Sequence, residues 1–230
     1  MSVHIGGRGP GHLCRLLSTT AGGGGTGPLS VTYDTSIGNG VGTDGFASLP
    51  LNTGAKTFFV NSSTGSDTNT STQAQNPATP VATIPKAKSY CVTGRGDQIL
   101  VAEGMTYPAG LGYFGDVGGA SPLYPLVVQS YDPTDALNTA KYGRARDSNR
   151  PVVPGNGTSM SGGFIQGSGT SQKYRVFRGL DFTPTGGNVN DVALNMVPNT
   201  TGTPDYFLFE NCIFAYTGLV GNFSGTANQM

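Results

Sequence analysis

An all-β chain built from recurring strands is the fold class that this sequence predicts, and three observations predict it. Short β-branched and aromatic runs, such as Thr57-Phe58-Phe59-Val60 and Gln98-Ile99-Leu100-Val101-Ala102, are bounded by Gly, Asn, Asp and Ser, which is how strands read. Glycine supplies 37 of 230 residues without the triplet period of collagen, so the composition is that of a turn-rich chain. Two segments align without a gap: Tyr174-Arg175-Val176-Phe177-Arg178-Gly179-Leu180-Asp181-Phe182 and Tyr206-Phe207-Leu208-Phe209-Glu210-Asn211-Cys212-Ile213-Phe214. They share Tyr, an apolar alternation, a charge, Gly or Asn, a small apolar residue and Phe.

Residues 1–51 are rich in Gly, Ser and Thr, with Gly22-Gly23-Gly24-Gly25 in the middle. Such a stretch cannot bury enough apolar surface to offset the chain entropy of ordering, so a flexible leader is expected. Within it Leu29-Ser30-Val31-Thr32-Tyr33 alternates in the manner of an edge strand. Gly6-Gly7-Arg8-Gly9-Pro10-Gly11 lacks the lysine and the strand-to-helix setting of a phosphate-binding loop.

From Thr57 the order is strand, polar turn, short helix, strand. The turn is Gly65-Ser66-Asp67; the helix is Thr83-Ile84-Pro85-Lys86-Ala87-Lys88-Ser89-Tyr90-Cys91, with Thr83 as N-cap and Pro85 tolerated in the first turn. Ile84, Ala87 and Cys91 fall on one helical face. Farther on, Pro125-Leu126-Val127-Val128-Gln129-Ser130-Tyr131 reads as a buried strand, Asp132 to Arg150 as a polar excursion, and Pro151-Val152-Val153 as a return to the sheet. Val192, Leu194 and Met196 alternate as a further strand.

In the two aligned segments Gly179 and Asn211 occupy one position. These residue types best tolerate the left-handed backbone of a sharp bend, so a bend is expected at both. Stacked in that register, Phe182 lies over Phe214 and Arg178 beside Glu210. The copies are about 32 residues apart, which leaves a loop projecting between them.

The strand and turn at Phe58 to Asp67, the Ala-Thr-Ile-Pro-Lys-Ala of the helix, and Gly96-Asp97-Gln98-Ile99 followed by Gly104 and Tyr107 resemble the N-terminal part of right-handed parallel β-helices of the pectin lyase-like superfamily. The resemblance implies a solenoid over residues 52–230, its open end plugged by the short helix and its first rung starting after Gly96-Asp97. It implies no single activity, because that superfamily spans lyases, hydrolases, phage tailspikes and adhesins.

Charged residues make up only 11% and the formal net charge is zero, so the chain carries no electrostatic footprint for nucleic acid or for an anionic membrane. Cys14, Cys91 and Cys212 are too few and too scattered for a disulfide framework or for metal-ligand spacing, and Cys91 and Cys212 have the apolar neighbours of small core residues. Both histidines, His4 and His12, lie in the leader, which removes a histidine base or histidine-built metal site from the folded part. No signal-peptide pattern and no membrane span is visible.

The polysaccharide-processing members of the family work in a groove along one outer sheet, with carboxylates or a calcium-acidified substrate. The Asp-Asp and Gly-His-Gly hallmarks of polygalacturonases are absent, and no Asp cluster resembles a pectate lyase calcium site. The densest polar group is Asp132, Asp135, Lys141, Tyr142, Arg144, Arg146, Asp147 and Arg150. Read functionally, Arg144 and Arg146 clamp an acidic sugar while Tyr131 and Tyr142 stack on it. Read blandly, the group is a solvated loop with local ion pairs of little worth.

Arg95-Gly96-Asp97 formally matches an integrin tripeptide, but the helix-to-strand turn already explains its Gly and Asp, and so short a motif matches by chance. Five Asn-X-Ser/Thr triplets, at Asn61, Asn69, Asn156, Asn199 and Asn222, follow from composition.

The expectation is therefore a carbohydrate-recognising surface or phage tail-type (tailspike-like) protein, extracellular or on a cell surface or virion, that binds polysaccharide along its stacked sheet. Two alternatives stand beside it: the N-terminal part of a polysaccharide lyase or glycoside hydrolase, and a purely structural solenoid. No cofactor is expected, calcium entering only in the lyase case. The partner is a glycan, with neither nucleic acid nor membrane, and the uncapped C-terminal end points to further rungs or to a homotrimer.

Overall fold

The computed structural model describes residues 49–108, 117–146, 148–154, 174–182 and 208–213, together with the backbone of 13–14, 165–167, 194–196, 207, 214 and 221–223. In chain order the elements are β1 (Leu13–Cys14), β2 (Thr57–Val60), α1 (Ile84–Lys88), β3 (Gln98–Ala102), β4 (Leu126–Tyr131), β5 (Ile165–Gly167), β6 (Arg175–Arg178), β7 (Asp181–Phe182), β8 (Leu194–Met196), β9 (Phe207–Glu210), β10 (Ile213–Phe214) and β11 (Gly221–Phe223). Single 3-10 turns lie at Gln73–Gln75 and Thr139–Lys141.

The main sheet is parallel and follows sequence order, β2-β3-β4-β6-β9, with β1 antiparallel on the outer edge of β9. Parallel neighbours need crossovers of a dozen residues or more, and the long intervals between these strands provide them. One register row is Phe58, Ile99, Val128, Phe177 and Phe209; the next is Phe59, Leu100, Gln129, Arg178 and Glu210. Rows alternate between faces.

The first face packs the main core. Val60, Val101 and the Phe58 row meet Ile84 and Ala87 of α1, Cys91, Tyr107, Val153, Leu180 and Phe182, and the Phe177 and Phe209 rings stack with centroids 5.3 Å apart. On the second face Phe59, Leu100, Ala102, Tyr131 and Tyr142 form a separate buried cluster. Every residue of β3, β4 and β6 is buried. The sheet thus has two covered faces, as parallel sheets do.

The short helix forms with the expected cap and buried face, but it ends at Lys88, so Cys91 lies beyond it. Thr83 Oγ1 accepts from Lys86 N at 3.3 Å, Pro85 sits in the first turn, and Ile84 and Ala87 are buried against the sheet. Asp67 anchors the preceding turn to this start: its carboxylate accepts from Ala82 N, Thr83 N and Thr83 Oγ1 at 2.8–3.0 Å. Cys91 is a core residue, and Cys212 packs against the same core, where burial pushes its thiol up to about 12.

The aligned segments pair in the expected register: β6 lies parallel to β9 with Arg178 opposite Glu210, and β7 lies parallel to β10 with Phe182 opposite Phe214. Gly179 and Asn211 both have positive φ, 69° and 54°. The backbone of Leu194–Met196 is a strand, β8, between β5 and β11.

The right-handed parallel β-helix expected over 52–230 is corrected. The main sheet is a single open sheet of five parallel strands, accompanied by short helical segments, and it neither curls nor closes. A solenoid would return the chain through further walls of strand. Here the return paths contribute turns, α1, 3-10 segments, the two-residue β7–β10 ladder, the three-residue strands β5, β8 and β11, and the single bridges Thr106–Val152 and Val152–Asp181. The leader strand expected at Leu29–Tyr33 lies outside the described residues.

Candidate functional site

The polar excursion after β4 begins with two tight local structures. Asp132 Oδ1 accepts from Thr134 N at 2.9 Å and from Thr134 Oγ1 at 2.7 Å, and these bonds hold its carboxyl below the usual carboxylate range. Asp135 Oδ2 accepts from Asn138 Nδ2 at 3.0 Å and from Lys141 Nζ at 2.8 Å on the exposed surface. That pair lowers the Asp135 carboxyl and raises the Lys141 ammonium, while Leu137 between them is 76% exposed.

Tyr131 and Tyr142 do not present faces to solvent, and the stacking role expected of them is corrected on that ground. Tyr131 is buried with its ring edge-on to Phe59 at 5.3 Å, and burial pushes its phenol up to about 12. Tyr142 is buried in the same cluster, its hydroxyl donating to Ala136 O at 2.6 Å. Burial raises its phenol too. Both rings fill the second face of the sheet, so neither is available to a sugar.

The arginines fare differently. Arg144 is half-buried and its Nη1 donates to Tyr142 O at 3.3 Å, whereas Arg146 is exposed. Between them Ala145 is buried. Arg150 is buried, its Nε donating to Asn211 O at 2.6 Å and its Nη2 to Asn211 Oδ1.

Asn211 completes the arrangement. Its Nδ2 donates to Gly143 O at 2.9 Å and to Ala145 O at 3.1 Å. The loop from Gly143 to Arg150 is therefore held at both ends by one residue of a later strand's turn. Gly143 N donates to Ser130 O at 2.8 Å, and the aliphatic stem of Arg178 lies across Gly143 so closely that a Cβ there would stand 2.1 Å from Arg178 Cδ. At the far end Gly104 N donates to Asn149 O, and Asn149 Nδ2 donates to Glu103 Oε2, each at 2.8 Å. Partial burial raises the Glu103 carboxyl although that bond opposes the shift.

No signal in the sequence tied Asn211 to this loop. Its assignment as a bend residue explains the positive φ, but not the choice of Asn over Gly. Its side-chain bonds to Gly143 and Ala145 and from Arg150 supply that reason.

Among the described residues no group of three or more His, Cys, Asp and Glu could hold a metal ion, and no helix is long and apolar enough to cross a membrane. The Asp97 of the Arg-Gly-Asp tripeptide is wholly buried: its carboxylate accepts from Lys56 N at 2.8 Å, Arg95 Nε at 2.6 Å and Val92 N at 2.9 Å. An integrin could not reach it. Asn61 is likewise buried, its Oδ1 accepting from Ser63 N and Thr64 N, which makes it a turn residue rather than a glycan acceptor.

Comparison with protein-family models and with curated proteins returned no match.

Proposed function

We propose that this protein binds polysaccharide, and that it does so through the loop from Asp132 to Arg150 rather than along the sheet. The observation that supports the reading is the bracing of that loop by Asn211 and Arg150, with Arg146 exposed and Arg144 half-exposed on it. A loop whose backbone is already fixed loses little entropy when it takes a ligand, and guanidinium groups suit the carboxylate or sulfate of an acidic sugar. Contact along the sheet has no surface to use, because both faces are covered. The near absence of net charge favours a partner read at a few points rather than one drawn by a broad field.

A second reading has its own support. Tyr131 and Tyr142 are spent on packing, which suits a purely structural module. One experiment separates the two. Retention of the purified chain is measured on polygalacturonate, alginate, a sulfated glycan and a neutral glucan. Arg146→Ala should weaken binding to the acidic members by about tenfold, the worth of a charge-assisted hydrogen bond. Lys56→Ala, which removes an exposed charge elsewhere, should leave binding unchanged. Wild-type protein that is retained on none of the four sinks the glycan reading and leaves the structural one.

A further inference from the structure

We infer that Asn211 is the positioning residue of the arginine loop: it sets the conformation in which Arg144 and Arg146 are presented, and its amide, not merely its bend, does so. The inference rests on the glycan reading for its consequence, but not for its geometry. Asn211 stands at positive φ, which glycine would satisfy at no steric cost. What Asn adds is one amide used in full. The two Nδ2 hydrogens go to Gly143 O and Ala145 O, the carbonyls on either side of Arg144, while Oδ1 accepts from Arg150 Nη2. Its own backbone carbonyl takes Arg150 Nε at 2.6 Å. Asn211 thus donates twice to the loop backbone and accepts twice from Arg150, and the segment between Gly143 and Arg150 is fastened before and after the two arginines.

The strand turns prepare this seat. Gly179, equivalent to Asn211 in the preceding aligned segment, lies against Gly143: a Cβ on Gly179 would come within 2.8 Å of Gly143 O and 2.3 Å of Ser130 Oγ. The seat therefore needs glycine in one copy, where the loop backbone passes, and asparagine in the other, where the loop must be held. The difference between two otherwise matching segments is a division of labour.

The test compares Asn211→Gly, which keeps the bend and deletes the amide, with Asn211→Asp, which keeps the acceptor and deletes both donors. Amide hydrogen exchange at Gly143, Arg144, Asn149 and Arg150 reads the loop without any ligand. Both variants should keep wild-type protection in β3 and β4 and exchange about tenfold faster in the loop, the size expected for losing two part-buried hydrogen bonds in Asn211→Asp and three in Asn211→Gly. Affinity for the acidic glycan that wild type binds best should fall by about the same factor, with the loss concentrated in the association rate if the loop must re-form before binding. Loop exchange at the wild-type rate in Asn211→Gly would overturn the inference. Accelerated exchange with undiminished glycan affinity would overturn the positioning role and leave a structural brace. Wild-type protein that binds no glycan would overturn the glycan reading instead, with the exchange rates still deciding whether Asn211 holds the loop.

Discussion

Arg178 and Glu210 stand opposite each other on the adjacent parallel strands β6 and β9, ion-paired with Arg178 Nε 2.6 Å from Glu210 Oε2, and both side chains are almost wholly buried. Arg178 Nη2 reaches the same oxygen. The stem of Arg178 crosses Gly143, so this pair also forms the floor under the arginine loop.

Removing one partner leaves a buried charge uncompensated. Glu210→Leu or Arg178→Met alone should cost about 3–5 kcal/mol, and the double variant should recover most of that loss because the pair must also repay its desolvation. Urea denaturation of the four proteins measures it. A double variant as unstable as the worse single one would contradict this account.

Gly143→Ala should cost about 3 kcal/mol or more, since the new methyl group would meet the Arg178 stem and the φ of 70° disfavours any L side chain. Arg178→Ala in the same chain should relieve part of the clash. Thermal melting would reveal that relief as a midpoint for the double variant above the one additivity predicts.

Asp97→Ala should be among the most damaging single changes, at about 3 kcal/mol, because it leaves the amides of Lys56 and Val92 without their acceptor at a buried site. Chemical denaturation is the readout. Asp97→Asn, which keeps one acceptor oxygen, should fall between the two.

How much of this was readable beforehand differs from feature to feature. The strands at Thr57, Gln98, Leu126, Arg175 and Phe207 and the helix capped by Thr83 carry local signatures, and the Arg178–Glu210 neighbourhood follows from aligning two segments. Whether successive strands close into a coil depends on what the connections do, and sequence adjacency is the same for an open sheet. Tyr131 and Tyr142 look like surface aromatics because polar residues follow them. In a parallel sheet both faces are covered, so alternation does not reveal which side chains reach water. The bonds from Asn211 to Gly143 and Ala145 span 68 and 66 residues and leave no local trace.

Two carboxylates near the loop should respond to pH in opposite senses. The Glu103 carboxyl is raised from its ordinary 4.5, so the folded protein holds that proton more tightly than the unfolded chain. The stabilising contribution is present below the unfolded value and is lost as pH rises through the folded one. Glu103→Gln, which still accepts from Asn149, should therefore gain stability over wild type as pH climbs from about 4 to 7. The Asp132 carboxyl is lowered from 3.8 by its bonds to Thr134; its contribution is present above that value and lost as pH falls through the folded one. Asp132→Asn should be destabilising at neutral pH and nearly silent in strong acid. Stability curves of the two variants across this range should diverge, and parallel curves would refute both assignments.

Ser130→Ala should be neutral or stabilising by about 1 kcal/mol, because the Ser130 hydroxyl is buried with no hydrogen-bond partner among the described residues. A loss of stability would mean that the hydroxyl is satisfied in solution.

Because the fastening residue Asn211 follows its loop by more than sixty positions, the ribosome finishes the loop and its bonds to Ser130, Glu103 and Gly104 long before Asn211 exists. On a growing chain the main sheet can extend strand by strand as each one emerges, yet the amide that grips Gly143 and Ala145 arrives only after β9, the last strand of that sheet. A fragment that ends at Glu210 would hold every strand of the main parallel sheet and a loop without its Asn211 bonds.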